Sequence, residues 1–131
     1  MILIDSSGWI EYFTDGPNSD IFAAAISENK SNIIIPTIII YEVFKKILNE
    51  AGEEKALQVI GQLKRYKIII LDEDIALTAA EISCEHKIPM ADSIVYATAK
   101  TMQAEVWTQD DDFKDLPNVK YFKKKKAHHD R

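Results

Sequence analysis

The chain begins with MILIDSSGWIEYF (1–13), in which a short apolar run changes directly into a helical pattern. Residues 1–4 are too few for a buried helix and predict a buried strand. Ser6 or Ser7 can cap the helix that follows. In an open parallel sheet, ligands bind beyond the carboxyl ends of the strands. Asp5, at the strand-to-helix junction, therefore lies where such a fold would place a functional side chain.

The same alternation continues along the chain and predicts the fold. Thr37 is a candidate N-cap for a helix that ends before Gly52. The apolar runs are continuous rather than alternating, which is typical of strands buried on both faces of a parallel sheet. The sequence therefore predicts an α/β fold, a three-layer α/β/α sandwich with a central parallel sheet of four or five strands. After the first strand, the predicted strands are 32–36, 67–71, 104–108 and a short one at 118–122.

Composition favours one soluble domain of the cytoplasm. The 131 residues are 47% hydrophobic and 28% charged, which is an ordinary globular balance. No apolar run approaches the roughly 20 residues of a membrane helix, and the first charge is Asp5 rather than a basic signal-peptide region. The single cysteine, Cys84, allows no internal disulfide and fits a reducing compartment. Cys84 shares an apolar helical stripe, so we predict that it lies in the core.

Charge is distributed unevenly along the chain. The formal net charge is −5, to which the last nine residues, KKKKAHHDR (123–131), contribute +4. The remaining 122 residues therefore carry −9. We predict a folded domain at 1–122 followed by a basic, disordered tail at 123–131. A basic tail on an acidic body can also indicate contact with nucleic acid.

Four acids fall where predicted strands change into helices. Asp5 follows the first strand, and Glu42 lies early in the helix after the second. Asp92 lies in the first turn of a helix that begins after Pro89, and Asp110 follows the fourth strand. The carboxyl ends of parallel strands share one edge of the sheet, so these side chains are expected to meet there.

Glu42 interrupts the apolar stretch IIIYEVF (38–44), and the two arginines of the chain lie outside the predicted core. A buried carboxylate without a partner costs several kcal/mol, so a hard divalent cation such as Mg²⁺ is the simplest partner for several clustered acids. Each acid also has a plain structural explanation. Asp5 could be an N-cap, Glu42 could extend to solvent, Asp92 could complement a helix dipole, and Asp110 could belong to an acidic turn.

Four motifs surround these acids. In chain order they are LIDSS (3–7), IYEV (40–43), PMADSIVYATA (89–99) and VWTQDDDF (106–113). They resemble the successive motifs of PIN-domain ribonucleases, over residues 1–122 and most strongly those of the VapC-type toxins of prokaryotic toxin–antitoxin pairs. The resemblance implies Mg²⁺- or Mn²⁺-dependent cleavage of RNA phosphodiester bonds with one or two ions, a homodimer, and a cognate antitoxin partner.

The resemblance also implies roles for individual residues. Asp5, Glu42, Asp92 and Asp110 match the catalytic acids of the family. Asp5, Asp92 and Asp110 are then the expected metal ligands. Three further positions match residues that support the pocket or assist the fourth acid, namely Ser7, Thr108 and Asp112.

Two other functions remain open from the sequence. A catalytically silent module of the same fold could keep the acids for binding a metal or an antitoxin. A phospho-accepting receiver domain is also a small α/β protein with acids at its strand ends. The sequence fits that class poorly, because Asp5 has no acidic neighbour and strand four ends in Thr108–Gln109 rather than in lysine.

Overall fold

The structure is a computed structural model that describes residues 1–126. Strands and helices alternate as the apolar runs predicted. The strands are β1 (Ile2–Ile4), β2 (Ile34–Pro36), β3 (Lys67–Ile69), β4 (Glu105–Thr108) and β5 (Val119–Tyr121). The helices are α1 (Ser6–Phe13), α2 (Ser19–Glu28), α3 (Thr37–Ala51), α4 (Glu53–Leu63), α5 (Glu73–His86) and α6 (Met90–Met102), with a 3₁₀ turn at Asp111–Phe113.

Every strand pairing in the described chain is parallel. β1, β4 and β5 form one ladder in the order β1-β4-β5, and β2 pairs with β3. A bridge between Ile2 and Ile33 and a 2.8 Å hydrogen bond from Ile2 N to Asn32 O join the two parts. The spatial order is therefore 3-2-1-4-5, which confirms a central parallel sheet of five short strands. A receiver domain has the order 2-1-3-4-5, so the strand order excludes that alternative.

Helices cover the sheet because its strands are apolar on both faces. Leu3, Ile4, Ile35 and Val106 are completely buried. Parallel connections are right-handed, and the chain moves one way from β1 to β3 and then returns to β4. This reversal puts α1–α4 on one face of the sheet and α5 and α6 on the other, which is the three-layer α/β/α arrangement expected from the sequence.

The same topology brings one end of three helices to a single edge. α1 and α3 begin directly after β1 and β2, at the carboxyl ends of those strands. α6 precedes β4 and runs back along the sheet, so its first turn lies at the edge where β4 ends. The strand order reverses between β1 and β4, which is where open α/β sheets form a binding crevice.

Several local predictions were wrong. Asp5, rather than Ser6 or Ser7, is the N-cap of α1. Thr37 is the first residue of α3, and Pro36 occupies the cap position without a side-chain hydrogen bond. Cys84 is exposed rather than part of the core.

The predicted basic tail is only partly described. Lys123–Lys126 form no helix or strand and are exposed, whereas residues 127–131 lie outside the described part of the chain. The prediction of disorder for those last five residues therefore stays a prediction. No helix within residues 1–126 is long and apolar enough to cross a membrane.

Candidate active site

Asp5 is a buried carboxylate whose two oxygens accept hydrogen bonds from neighbouring residues. Only 4% of the residue is exposed. Its Oδ1 accepts from Ser7 Oγ at 2.7 Å and from Gly8 N at 3.1 Å, and its Oδ2 accepts from Thr108 Oγ1 at 2.7 Å. Burial raises the pKa of Asp5 to about 6, against the lowering effect of these donors, and the charge of Asp110 raises it further. Asp5 therefore serves as the helix cap and also belongs to a group of interacting acids.

β4 carries the next part of the site because it lies beside β1. Ile4 pairs with Trp107, and Asp5 N donates to Trp107 O at 3.1 Å, so Thr108 comes next to Asp5. The Thr108 hydroxyl accepts from Asp110 N at 2.8 Å while it donates to Asp5. Asp110 Oδ1 in turn accepts from Asp112 N at 2.9 Å and so begins the 3₁₀ turn. This chain of hydrogen bonds fixes three acids relative to one another.

Asp92 completes a tight group with two acids of the β4 loop. Carboxylate oxygens of Asp92, Asp110 and Asp112 all lie within 4.8 Å of one another. Burial raises the pKa of Asp92 to about 8, together with the charge of Asp110, a hydrogen bond with Asp112, and the charges of Asp112 and Asp5. The negative charges of these carboxylates repel one another unless some of them bind a proton or the group binds a cation.

Glu42 borders this group from α3. Its side chain is half-buried, and burial together with the charge of Asp110 raises its pKa, while the Ser6 hydroxyl lowers it. The structure therefore brings all four acids predicted from the sequence to one edge of the sheet. Asp110 is the shared member of the set and interacts with each of the other three. Asp112, predicted as a supporting residue, lies in the closest group, whereas Asp5 lies beside that group rather than within it.

Cationic side chains do not neutralise these acids in the described part of the chain. The ion pairs of residues 1–126 are Lys46–Glu50 and His86–Glu85, and neither involves a site acid. Three helices point their N-termini toward this edge, which favours negative charge by only about 0.3–1 kcal/mol per group. A hard divalent cation fits the donor set, because it prefers carboxylate oxygens and would remove the mutual repulsion.

Two buried polar residues beside the site were missed by the sequence analysis. Gln109 N donates to Ser7 Oγ at 3.0 Å, so the Ser7 hydroxyl is fixed while it donates to Asp5. Asn18 Nδ2 donates to Gln109 Oε1 at 2.6 Å. Asn18 belongs to the turn cluster DGPNSD (15–20), whose composition gives no indication of burial. Gln109 lies within a recognised motif, and only its position between Thr108 and Asp110 could have indicated a role.

The fold and the site define the class of protein to which this chain belongs. It is an α/β protein with a five-stranded parallel sheet and a group of carboxylates at the point where the strand order reverses. The family profile described as PIN domain matches residues 2–119. The chain therefore belongs to the PIN domain family.

Solved structures with the same fold include two complexes and one toxin. A toxin–antitoxin complex from Klebsiella pneumoniae matches with a TM-score of 0.79 and 24% identity, over 91% of this chain and 95% of that one. VapC20 of Mycobacterium tuberculosis, a toxin that cleaves the sarcin–ricin loop, matches with a TM-score of 0.80 and 13% identity, over 91% and 97%. DNA-bound VapBC from Salmonella typhimurium matches with a TM-score of 0.76 and 18% identity, over 93% and 98%. No curated protein sequence matches the chain.

Proposed function

We propose that this protein is a metal-dependent endoribonuclease and the toxin of a toxin–antitoxin pair. The observation that carries the proposal is the group formed by Asp92, Asp110 and Asp112 within 4.8 Å, bordered by Asp5 and Glu42. Membership of the PIN domain family and the fold shared with VapC20, which cleaves RNA, support it. The nuclease unit is the domain at 1–122.

The site acids have different roles in this proposal. Asp5, Asp92 and Asp110 would hold one or two Mg²⁺ or Mn²⁺ ions, with Asp112 close enough to join them. Ions held there would lower the pKa of a bound water and would polarise the scissile phosphate. Ser7 and Thr108 orient the Asp5 carboxylate through hydrogen bonds. Glu42 is half-buried, which raises its pKa and makes its carboxylate a stronger base, so it is suited to accept a proton from the attacking water.

The direct test is cleavage of a panel of single-stranded and structured RNA fragments by the purified chain, in Mg²⁺, in Mn²⁺ and in EDTA. Asp92→Asn removes one carboxylate of the group, and Asp115→Asn makes the same charge change at a nearby exposed acid outside it. Loss of a residue that only supports a metal ligand costs about 10–100-fold, so we expect a fall of at least about 100-fold for Asp92→Asn. Asp115→Asn should stay within about threefold of the wild type.

Equal cleavage by the wild type and Asp92→Asn would overturn the assignment of the site. The alternative of a catalytically silent module predicts a different pattern. It would bind Mn²⁺ in a way that depends on Asp92, measured by calorimetry, and would leave every RNA of the panel intact.

The proposed partners are an antitoxin and a second copy of the chain in the cytoplasm. The neighbours from Klebsiella pneumoniae and Salmonella typhimurium are complexes of this kind, which supports an antitoxin partner. Leu77 of α5 and Met90 of α6 are 61% and 74% exposed, and they supply apolar surface for a homodimer.

Expression of the wild type should stop growth of the host, whereas Asp92→Asn should not. Analytical ultracentrifugation measures whether Met90→Lys converts a dimer into a monomer.

A further inference from the structure

We infer, on the basis of the ribonuclease function proposed above, that Lys123, Lys124 and Lys125 form a binding site for the RNA phosphate backbone at the rim of the acid group. These residues belong to the basic segment that the family resemblance does not cover. They follow β5, the last strand, which lies next to β4 and its acidic loop.

The start of this segment is anchored beside the site. Phe122 N donates to Thr108 O at 2.9 Å, which extends the pairing of β5 with β4 by one residue. The Phe122 ring packs against Trp107 and Phe22, with ring centroids 5.4 Å and 5.8 Å apart. The chain therefore leaves the sheet at a fixed point, directly next to the residue that bonds Asp5 and Asp110.

The side chain of Asn18 holds the backbone of Lys123, the first lysine of the segment. Its side chain is buried, with 2% exposure of the residue, and Nδ2 donates both to Gln109 Oε1 and to Lys123 O at 3.1 Å. Asn18 is itself held by a hydrogen bond from its backbone N to the buried carboxylate of Glu11. Because only the carbonyl of Lys123 is used, its ammonium group stays available to a ligand.

Two cavities lie along the lysines and share one lining residue, Lys124. The first, of about 480 Å³, is lined by the site residues Ser7 and Asp110 and also by Lys123 and Lys124. The second, of about 560 Å³, lies between the turn that connects α1 to α2 and the side chains of Lys124 and Lys125. Because Lys124 lines both, the two cavities follow the basic segment outward from Asp110.

Charge explains why RNA would follow this path. The folded domain carries −9, and a phosphodiester approaching its acids is repelled until cations screen them. Lys123 and Lys124 are the basic side chains that line the cavity of Asp110 and Asp111. Neither takes part in an ion pair within the described residues, so both are available to phosphate oxygens. A compact, flexible ammonium suits contact with a backbone without selecting a base.

The test compares the wild type with three variants of the whole 131-residue chain in binding to a fluorescein-labelled, 12-nucleotide single-stranded RNA. One carries Lys123→Gln, Lys124→Gln and Lys125→Gln. The matched control replaces three exposed lysines of α4, its C-cap and β3, the strand at the opposite end of the sheet from β5, through Lys55→Gln, Lys64→Gln and Lys67→Gln. A rescue variant carries arginine at 123, 124 and 125. Anisotropy is recorded in EDTA across a salt series, and KM and kcat are measured separately in Mg²⁺.

Each phosphate contact with a single strand contributes about 0.7 to the slope of log affinity against log salt. The glutamine variant should therefore lose about 1–2 units of slope and bind about 10–100-fold more weakly at low salt. The control should change less than threefold, and the arginine variant should bind as the wild type does. KM should rise in the glutamine variant while kcat at saturation stays within about threefold.

The outcomes separate this inference from the proposed function. Wild-type cleavage with equal RNA affinity and salt slope in the glutamine variant and the control would overturn the lysine site alone. RNA binding that depends on Lys123–Lys125, with no cleavage by the wild type, would overturn the nuclease and leave the site in place. An arginine variant that binds as weakly as the glutamine variant would also contradict a phosphate contact.

Discussion

Thr108 connects two acids of the site through one hydroxyl group. It is fully buried at the end of β4, donates to Asp5 Oδ2 and accepts from Asp110 N. Its donor stabilises the charged form of Asp5, and its acceptor positions the loop that carries Asp110 and Asp112. A single side chain therefore controls both the protonation of one acid and the position of two others.

We expect Thr108→Val to impair the site while it preserves the shape of the side chain. The substitution leaves Asp110 N without its acceptor and Asp5 without a donor, which costs about 1–3 kcal/mol of unfolding free energy. The pKa of Asp5 should rise further, because a hydrogen bond that lowers it is lost. Urea denaturation measures the first effect, and carbon-detected NMR titration of the Asp5 carboxyl measures the second.

Thr108→Ser is the matched control, since it keeps the hydroxyl and removes only a methyl group. It should retain the pKa of Asp5 and a larger share of the RNA cleavage than Thr108→Val. If the valine and serine variants titrate alike, the hydroxyl does not contribute to the charge state of Asp5.

The sequence indicated the acids and the two hydroxyl residues that bond Asp5, but not the residues around them, Asn18 and Gln109. Asp5 stood out because it lies where a strand changes into a helix, and Glu42 because it interrupts an apolar stretch. Ser6, Ser7 and Asp5 are all good N-cap residues, so composition did not show which one caps α1. Asn18 could not be recognised as buried, because its neighbours in the chain are those of an ordinary surface turn.

At the level of elements, α1 lies unusually close to its neighbours. A Cβ atom built on Gly8 would lie 2.6 Å from Ile4 Cγ2 and 2.6 Å from Phe22 Cε1. Gly8 therefore allows the first turn of α1 to contact β1 and α2 at short range. Its backbone N also donates to Asp5, so the close packing helps to position the carboxylate.

We expect Gly8→Ala to destabilise the protein by about 1–3 kcal/mol, because a methyl group would overlap the side chains of Ile4 and Phe22. Cleavage of RNA should fall as well. A displaced α1 would move Gly8 N, which donates to Asp5, and would therefore disturb the position of the Asp5 carboxylate. Urea denaturation and an RNA cleavage assay at saturating Mg²⁺ measure the two effects.

Gly61→Ala provides the control for helix propensity. Gly61 lies inside α4, and a Cβ atom there would meet nothing within 4 Å. This substitution should stabilise the protein by about 0.5–1 kcal/mol. A Gly8→Ala variant that is also stabilised would contradict the close approach of α1.

The continuous apolar runs predicted the strands, but the sequence did not predict which faces of the helices are exposed. All five predicted strands are present, although each is shorter than its apolar run. In α5, Ile75 and Ala79 are buried, but Leu77 is 61% exposed and Cys84 is exposed. A helix with apolar residues on more than one side does not indicate which stripe meets the sheet, because that depends on partners far away in the chain.

Across the whole molecule, proton binding couples the acid site to stability. The pKa of Asp5 is raised from 3.8 to about 6 and that of Asp92 from 3.8 to about 8, and the pKa of Glu42 is also raised. The folded state therefore binds more protons than the unfolded state between about pH 4 and pH 8. The free energy of unfolding of the metal-free protein is thus highest at the acidic end of this window and falls as pH rises.

The last prediction concerns urea denaturation in EDTA at pH 5 and pH 8. From its own shift, buried Asp5 contributes about 1–2 kcal/mol of stability at pH 5 that is lost at pH 8. Asp5→Asn removes this contribution, so the stability of the variant should depend less on pH than that of the wild type. Mg²⁺ at about 100 times its Kd should add about 2.7 kcal/mol at pH 8 to a protein that binds one ion only when folded. Equal pH dependence in the two proteins, or no effect of Mg²⁺ on the wild type, would show that the carboxylates do not share one electrostatic site.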